Sequence, residues 1–210
     1  MIGFYNYTVL LTYLGFSSSV LGIILAMTGH TFAAIFCLMF SGLCDMFDGK
    51  VARTKKNRTK DERQFGVQLD SLSDLVCFGI LPSVIGFKIG LKEPYMIIVL
   101  VFYSLAALIR LAYFNVLAEE KTVFNKKKKE KVSYYYGLPV TSIAIILPFT
   151  YNLNIFMHPS VFLKAYPLIM LMTAILFVLN IKIKKPTGIW YVICSILAVI
   201  EIAIISAVMR

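Results

Sequence analysis

The chain has 210 residues, of which 59% are hydrophobic and 15% are charged, and its mean hydropathy is +0.80. This composition is typical of membrane proteins, and the apolar runs leave no stretch for a separate soluble domain. The formal charge of +10 is divided among short connections without an RNA- or DNA-reading motif, so nucleic acid is excluded as the expected partner. We therefore expect residues 1–210 to form a single integral membrane domain.

Seven apolar runs follow one another along the chain, and about 18 or more apolar residues suffice for a transmembrane helix. They cover residues 8–27, 31–44, 65–87, 94–116, 138–156, 161–180 and 188–209. The second run is short, so its helix must continue through Asp45 and Asp48 to cross a bilayer. The residues before the first run carry no positive charge and no clear cleavage site, which favours a retained helix over a signal peptide. The pattern predicts an all-α polytopic membrane protein.

Lys and Arg residues predict the orientation of these helices. Sixteen of the 21 basic residues lie in three alternate connections: Lys50, Arg53, Lys55, Lys56, Arg58, Lys60 and Arg63, then Lys121, Lys126, Lys127, Lys128, Lys129 and Lys131, then Lys182, Lys184 and Lys185. The positive-inside rule places these connections and the N-terminus in the cytoplasm. We expect a multi-pass protein of the cell membrane with its cytoplasmic side at these loops.

Four of the five aspartates border the second and third predicted helices. Asp45 and Asp48 are three positions apart and Asp70 and Asp74 are four apart, so each pair occupies one helix face. A charge at the middle of a membrane helix costs roughly 2.5–3.5 kcal/mol on insertion scales, which makes such residues candidates for function. Two antiparallel helices would bring the four carboxylates to one depth near the cytoplasmic surface. The alternative is that they are interfacial polar residues, although helix ends on this side usually collect Lys and Arg.

Four adjacent carboxylates repel one another unless cations neutralise them. Mg²⁺, Mn²⁺ and Ca²⁺ prefer oxygen ligands, and two such ions about 3.5–4 Å apart recur where displacement occurs at phosphorus. The neighbouring residues suit a phosphate: Gly49 lets it approach the backbone, Ala52 keeps the next turn narrow, and Arg53 supplies donors. Gly66 opens the facing helix one turn before Asp70. The four aspartates therefore predict a site for two divalent cations.

The stretches DMFDGKVAR, from Asp45, and GVQLDSLSD, from Gly66, resemble the signature of the CDP-alcohol phosphatidyltransferases. All eight positions that the signature fixes are present, namely Asp45, Asp48, Gly49, Ala52, Arg53, Gly66, Asp70 and Asp74. Twelve residues, 54–65, separate the two stretches, whereas the family commonly has eight. Because the surplus is highly charged, we expect it to lengthen a cytoplasmic loop.

The resemblance implies a six-helix membrane core, to which this chain adds about one further helix, in a homodimer whose active site opens to the cytoplasm. In such enzymes an alcohol hydroxyl attacks the lipid-bearing phosphate of a CDP-linked lipid, and CMP leaves. The resemblance makes Asp45, Asp48, Asp70 and Asp74 ligands of two Mg²⁺ or Mn²⁺ ions, with Ca²⁺ as a possible substitute, and makes Asp74 the general base. It assigns CDP binding to Asp48, Gly49, Ala52, Arg53, Gly66 and Asp70.

Three further stretches resemble the phosphatidylserine synthase branch of this family: LVCFGILP after Asp74, IRLAYFN at the end of the fourth run, and YYYGLPV before the fifth. They imply CDP-diacylglycerol as donor and L-serine as acceptor. Arg110 lies inside an apolar run and is a candidate for the serine carboxylate or a phosphate; the alternative is that it snorkels or pairs with an aspartate. Asn115, Tyr136 and Thr12 are further candidates for substrate contact. The first run lacks an Asn that the branch would lead us to expect near Thr12.

Two other functions are weighed against this one. Another acceptor, such as glycerol 3-phosphate, inositol phosphate or a different alcohol, would use the same chemistry, although a phosphorylated acceptor calls for more cations than Arg110 supplies. An ion transporter could use intramembrane aspartates, but such proteins often carry inverted repeats. The acids here are concentrated in one pair of helices, and the second half has nothing equivalent, which favours the transferase.

Overall fold

A computed structural model describes residues 3–55, 57–124, 134–155 and 157–184. This part contains seven α-helices, which are α1 Leu10–Met27, α2 Thr31–Ala52, α3 Lys60–Asp74, α4 Leu81–Ile89, α5 Pro94–Phe124, α6 Ile143–Asn152 and α7 Pro159–Val178. Two strands of three residues, β1 Tyr134–Tyr136 and β2 Lys182–Lys184, pair antiparallel. The seventh predicted helix, over residues 188–209, lies outside the described residues.

Five helical segments of the described chain are long and apolar enough to cross a membrane: Tyr7–Met27, Thr31–Ala52, Lys60–Ile89, Pro94–Leu117 and Pro159–Val178. The third is continuous because a π-helical turn, Leu75–Ile80, joins α3 directly to α4. The two short strands leave the class unchanged. The prediction of an all-α polytopic membrane protein is confirmed.

The second apolar run continues past its acids, as predicted. Helix α2 has 22 residues and is roughly 33 Å long at the helical rise, enough to cross the hydrocarbon core. Asp45 and Asp48 consequently lie on its last two turns. The fifth run differs from expectation, because its helix covers only Val140–Asn152, starting with a 3-10 turn. Pro148 lies inside that helix and removes one backbone donor.

The long connection after α2 is shorter than the spacing of the motifs suggests. Helix α3 begins at Lys60, because Thr59 and Glu62 form a capping box. The Glu62 amide donates to Thr59 Oγ1, and the Thr59 amide donates to Glu62 Oε2, both at 3.1 Å. Half of the twelve residues between the motifs are therefore helical. The expectation that the surplus only lengthens a loop is wrong for residues 60–65, which extend α3.

Small residues allow α1 and α2 to approach closely. Gly15, Ser19 and Gly22 lie on the face of α1 that meets α2. The hydroxyls of Ser19 and Ser41 lie 2.8 Å apart, and Ser41 also donates to the Gly15 carbonyl at 2.9 Å. Such contacts are typical of membrane helices, where close backbone packing and interhelical hydrogen bonds drive association. They fix α1 against the helix that carries Asp45 and Asp48.

We expect Gly22→Ala to destabilise this helix pair. A Cβ at residue 22 would lie 2.8 Å from the Cβ of Cys37, and overpacking of this kind costs about 1–3 kcal/mol. Thermal unfolding of the detergent-solubilised protein measures the effect. Ser17→Ala, at an exposed position of the same helix, is the control and should leave the melting temperature unchanged. A Gly22→Ala variant that melts at the wild-type temperature would contradict this description of the interface.

Candidate active site

The last turns of α2 and the end of α3 bring acidic side chains together. Asp45, on α2, and Asp70 and Asp74, on α3, each offer a carboxylate oxygen, and these oxygens all lie within 4.8 Å of one another. Asp48 lies beside them, since it lines the same cleft as Asp45 and Asp74. The two helix-borne pairs therefore meet, as their spacing predicts. We call these four residues the carboxylate cluster.

Asp48 is buried, with 8% of its surface exposed. Its Oδ2 accepts a hydrogen bond from the buried hydroxyl of Thr12, on α1, at 3.3 Å. Thr12 thus bonds to a member of the cluster, and its contact with substrate stays a prediction. This hydrogen bond orients the Asp48 carboxylate and links the cluster to α1.

A cleft of about 190 Å³, measured with its mouth, opens beside the cluster. It lies among α1, α2, the end of α3 and the π-helical turn, and Thr12, Gly15, Asp45, Asp48, Asp74 and Cys77 are among its lining residues. Asp45, Asp48 and Asp74 thus border one common, partly open space.

The donor set of the cluster fits a hard divalent cation. In the described part of the chain, Lys55 forms an ion pair with Glu62, at 3.0 Å, away from the cluster. Carboxylates without a cationic side chain beside them carry a large electrostatic cost in an apolar bundle. Oxygen atoms at these separations are suitable ligands for Mg²⁺ or Mn²⁺. Asp45, Asp70 and Asp74 could hold an ion directly.

The other residues of the signature lie on the loop side of the cluster. Arg53 is exposed, and its Nε donates to the Gly49 carbonyl at 3.0 Å. A Cβ at Gly49 would meet only Arg53 Nη2, at 3.9 Å, so the space above that residue is open. Ala52 and Gly66 both lie against Arg58. The space over Gly49 agrees with the idea that a phosphate approaches there, and the CDP-binding roles stay predictions.

Arg110 has a structural contact that the sequence did not predict. It is 7% exposed, and its Nη1 donates to the carbonyl of Phe177, in the last turn of α7, at 3.1 Å. Its guanidinium carbon lies 4.6 Å from the centre of the Phe114 ring. Gly137, with φ of 68°, passes so close that a Cβ there would lie 2.6 Å from Arg110 Nη1. Arg110 therefore helps to hold α5, α7 and the start of the fifth run together, and its contact with substrate stays a prediction.

Asn115 and Tyr136 are the two remaining predicted substrate contacts. Asn115 lies beside α3, because the Ser71 hydroxyl donates to its Oδ1 at 2.7 Å. Since Ser71 follows Asp70 directly, Asn115 is within reach of the region around the cluster. Tyr136 ends β1, opposite Lys182 in the register of the two strands, and its side chain is outside the described part. Both stay candidates.

The π-helical turn after Asp74 is a feature that the sequence did not signal. Its carbonyls bond to side chains of α5: Tyr103 donates to Phe78 O at 2.6 Å, and Ser104 donates to Gly79 O at 2.9 Å. Single π-helical turns inside α-helices are frequent at functional sites. Here the turn fixes the segment that directly follows Asp74 against α5.

Comparison with known proteins identifies the family. The family model described as CDP-alcohol phosphatidyltransferase matches residues 5–166, which include the carboxylate cluster and α1 to the first turns of α7. The chain belongs to the CDP-alcohol phosphatidyltransferase family. The resemblance seen in the two sequence stretches is thereby confirmed.

Curated relatives in this family carry closely related names. The chain is 36% identical over 148 residues to the CDP-diacylglycerol–serine O-phosphatidyltransferase of Saccharomyces cerevisiae, covering 69% of this chain and 51% of the relative. It is 32% identical over 129 residues to the Bacillus subtilis protein of the same name, covering 59% and 64%. It is 29% identical over 180 residues to the archaetidylserine synthase of Methanothermobacter thermautotrophicus, covering 85% and 70%. The chain thus matches about half of the length of the yeast relative.

We expect Thr12→Val to weaken metal binding at the cluster. The substitution keeps the shape of the side chain but removes the hydrogen bond to Asp48, and loss of such a supporting bond typically costs about 10–100-fold in metal affinity. Titration with Mn²⁺, followed by the electron paramagnetic resonance signal of the free ion, measures this affinity. Thr28→Val, at the exposed end of the same helix, is the control. Unchanged Mn²⁺ affinity in Thr12→Val would show that Thr12 does not orient the ligand.

Proposed function

We propose that this protein transfers a phosphatidyl group from CDP-diacylglycerol to the hydroxyl of L-serine, giving phosphatidylserine and CMP. The observation that carries the proposal is the meeting of Asp45, Asp70 and Asp74 within 4.8 Å beside a cleft between membrane-crossing helices. The printed names of the yeast and Bacillus relatives support CDP-diacylglycerol and serine as the substrates. Because the chain spans only part of these relatives, the activity is a proposal for this chain.

The carboxylate cluster would hold the metal, which we propose to be two Mg²⁺ or Mn²⁺ ions. Bound there, the ions would supply positive charge that neutralises the pyrophosphate of the donor and the phosphate of the departing CMP. The residues of the chain set the geometry for this, since Thr12 orients Asp48 and the capping box fixes the start of α3. On the loop side, Gly49 leaves room for the pyrophosphate to approach the backbone.

The reaction needs one base and one leaving group. The serine hydroxyl oxygen forms a bond to the lipid-bearing phosphorus as its proton passes to the Asp74 carboxylate. The bond between that phosphorus and the oxygen of CMP breaks, and CMP leaves with the electron pair. Asp74 suits the base because it lines the cleft and is on the last turn of α3, next to the π-helical turn. A carboxylate within hydrogen-bonding reach of the hydroxyl would contribute about 10²–10⁴-fold to the rate.

The acceptor side of the site is proposed from Arg110 and Asn115. Asn115 is held next to Asp70 through Ser71, and an amide there can bond to the serine amine or carboxylate. Arg110 lies on the same helix, five residues earlier, and would attract the serine carboxylate. Tyr136 precedes Gly137, which passes close to Arg110, and is a further candidate. A phosphorylated acceptor or another alcohol stays the alternative until acceptors are compared.

Orientation and assembly are proposed on the same basis. The basic connections, including the one between α2 and α3, would face the cytoplasm of the cell membrane by the positive-inside rule. The cluster lies at the α2–α3 end of the bundle, so its cleft would open to the same side. The resemblance to the family further implies a homodimer, surrounded by membrane lipids.

The name of one relative supports a second candidate for the donor lipid. The archaetidylserine synthase matches 85% of this chain, and its name gives archaetidylserine as the product. The residues of the cluster would act on the phosphate of either lipid in the same way, since the lipid tails lie away from the reacting atoms. The donor lipid should therefore be varied alongside the acceptor.

We expect L-serine to be the acceptor that gives the largest release of CMP. The purified full chain would receive CDP-diacylglycerol and Mn²⁺, with L-serine, glycerol 3-phosphate, inositol phosphate or ethanolamine in separate reactions. A parallel set would use the corresponding CDP-linked archaetidyl donor. CMP release with glycerol 3-phosphate but not with serine, above the buffer rate, would overturn the serine assignment while keeping the transferase.

We expect Asp74→Asn to lower the turnover number at least about 10²-fold, because the amide cannot accept the hydroxyl proton. CMP release at saturating serine and Mn²⁺ measures the effect. Asp61→Asn provides the matched control, because Asp61 is exposed in the first turn of α3 and should keep the wild-type rate. An Asp74→Asn enzyme of undiminished activity would exclude Asp74 as the base.

A further inference from the structure

Arg58 lies in the connection between α2 and α3, outside the eight positions of the signature. Its Nη1 donates to the Ala52 carbonyl at 3.4 Å, and its Nη2 donates to the Glu62 carbonyl at 3.3 Å. A Cβ on Gly66 would lie 2.7 Å from Arg58 Nη2. The guanidinium therefore spans from the end of α2 to the first turns of α3 and rests on the bare backbone of Gly66.

The register of the two helices places Arg58 next to the carboxylate cluster. Ala52 is four residues after Asp48, and Gly66 is four residues before Asp70. Residues four apart are neighbours on one helix face, with about 5–6 Å between their Cβ atoms. On both helices, the contact with Arg58 is thus one turn from the cluster, on the loop side. A ligand that extends from the cluster towards the loop meets this guanidinium.

The backbone that carries Arg58 is held in place by its neighbours. Glu62 Oε1 accepts hydrogen bonds from Asn6 Nδ2 at 2.9 Å and from Lys55 Nζ at 3.0 Å. The rings of Phe4 and Phe65 pack edge to face, with 5.5 Å between their centres. The segment before α1 therefore packs on this connection from outside. Arg58 itself is partly buried, so its side chain has a defined position before any ligand binds.

The hydrogen bonds that Arg58 makes are long enough for an anion to replace them. Its two hydrogen bonds reach carbonyls at 3.3 and 3.4 Å, longer than the usual 2.9–3.0 Å of such bonds. A guanidinium has five donors and forms shorter, stronger bonds with phosphate oxygens. An arriving phosphate would therefore replace weak contacts with charge-assisted ones. The exposed Arg53, by contrast, bonds to its own helix at Gly49.

We propose that Arg58 binds the phosphate of the CMP portion of the donor, as a binding residue that the long α2–α3 connection adds to the site. This inference rests on the proposed function, since it takes a CDP-linked lipid as the donor. It also gives Gly66 a second reason to be glycine, because a side chain there would push the guanidinium away from the ligand. A purely structural role, in which Arg58 only ties the connection together, is the alternative to be tested.

The test compares CMP and cytidine, which differ in the phosphate alone. Binding to the full chain in detergent would be measured by calorimetry at saturating Mn²⁺ for the wild type, Arg58→Gln, Arg58→Lys and Arg63→Gln. Loss of a charge-assisted contact predicts at least about a tenfold higher dissociation constant for CMP in Arg58→Gln. Cytidine binding should stay within about twofold of wild type, and Arg58→Lys should recover part of the CMP affinity. Arg63, exposed on α3, controls for the loss of one positive charge.

Each other outcome overturns the inference in a recognisable way. Equal weakening of CMP and cytidine, together with a lower melting temperature of the ligand-free Arg58→Gln protein, would assign Arg58 a structural role. CMP binding that is unchanged in Arg58→Gln, while the wild type releases CMP with serine, would remove Arg58 from the site and leave the proposed function standing. A wild-type protein that neither binds CMP nor releases it with any alcohol would overturn both.

Discussion

Mutual repulsion among four carboxylates in an apolar helix bundle is the constraint on which the rest of this structure depends. Asp45, Asp70 and Asp74 place oxygens within 4.8 Å of one another, and Asp48 lines the same cleft as Asp45 and Asp74. Burial without counter-charge is costly, so we propose that cations bind at the cluster. The helices must also be held firmly enough to keep the acids together. The close α1–α2 packing, the Thr12 hydrogen bond and the capping box of α3 supply that rigidity.

The surrounding architecture keeps the two acidic helices in register. On one side, the serine and glycine contacts of α1 fix the position of α2 along the bundle. On the other side, the π-helical turn after Asp74 is tied to α5 by Tyr103 and Ser104. The carbonyls of the π-helical turn accept hydrogen bonds from these side chains, as a membrane interior requires. The same scaffold leaves a cleft beside the acids, so a single arrangement would provide both the proposed metal ligands and access for substrate.

The sequence predicts the fold class and the meeting of the acids well, because both depend on local patterns. Apolar length predicts helices, and spacings of three and four place each aspartate pair on one helix face. Helix winding is not encoded in hydropathy, so the π-helical turn and the short α6 could not be foreseen. The positions of Arg58 and Arg110 depend on the path of connections and on backbone carbonyls of distant residues. Charge spacing carries no signal for such contacts, although the twelve-residue gap did mark the region that contains Arg58.

The most direct test of the central claim is the location of bound manganese. Crystals of the protein grown with Mn²⁺ would be measured at the manganese absorption edge, where anomalous scattering identifies the ion without reference to its ligands. We expect two anomalous peaks bounded by Asp45, Asp48, Asp70 and Asp74, with metal–oxygen distances of about 2.0–2.4 Å. Manganese bound elsewhere, with the cluster empty in a protein that releases CMP under the same conditions, would contradict it.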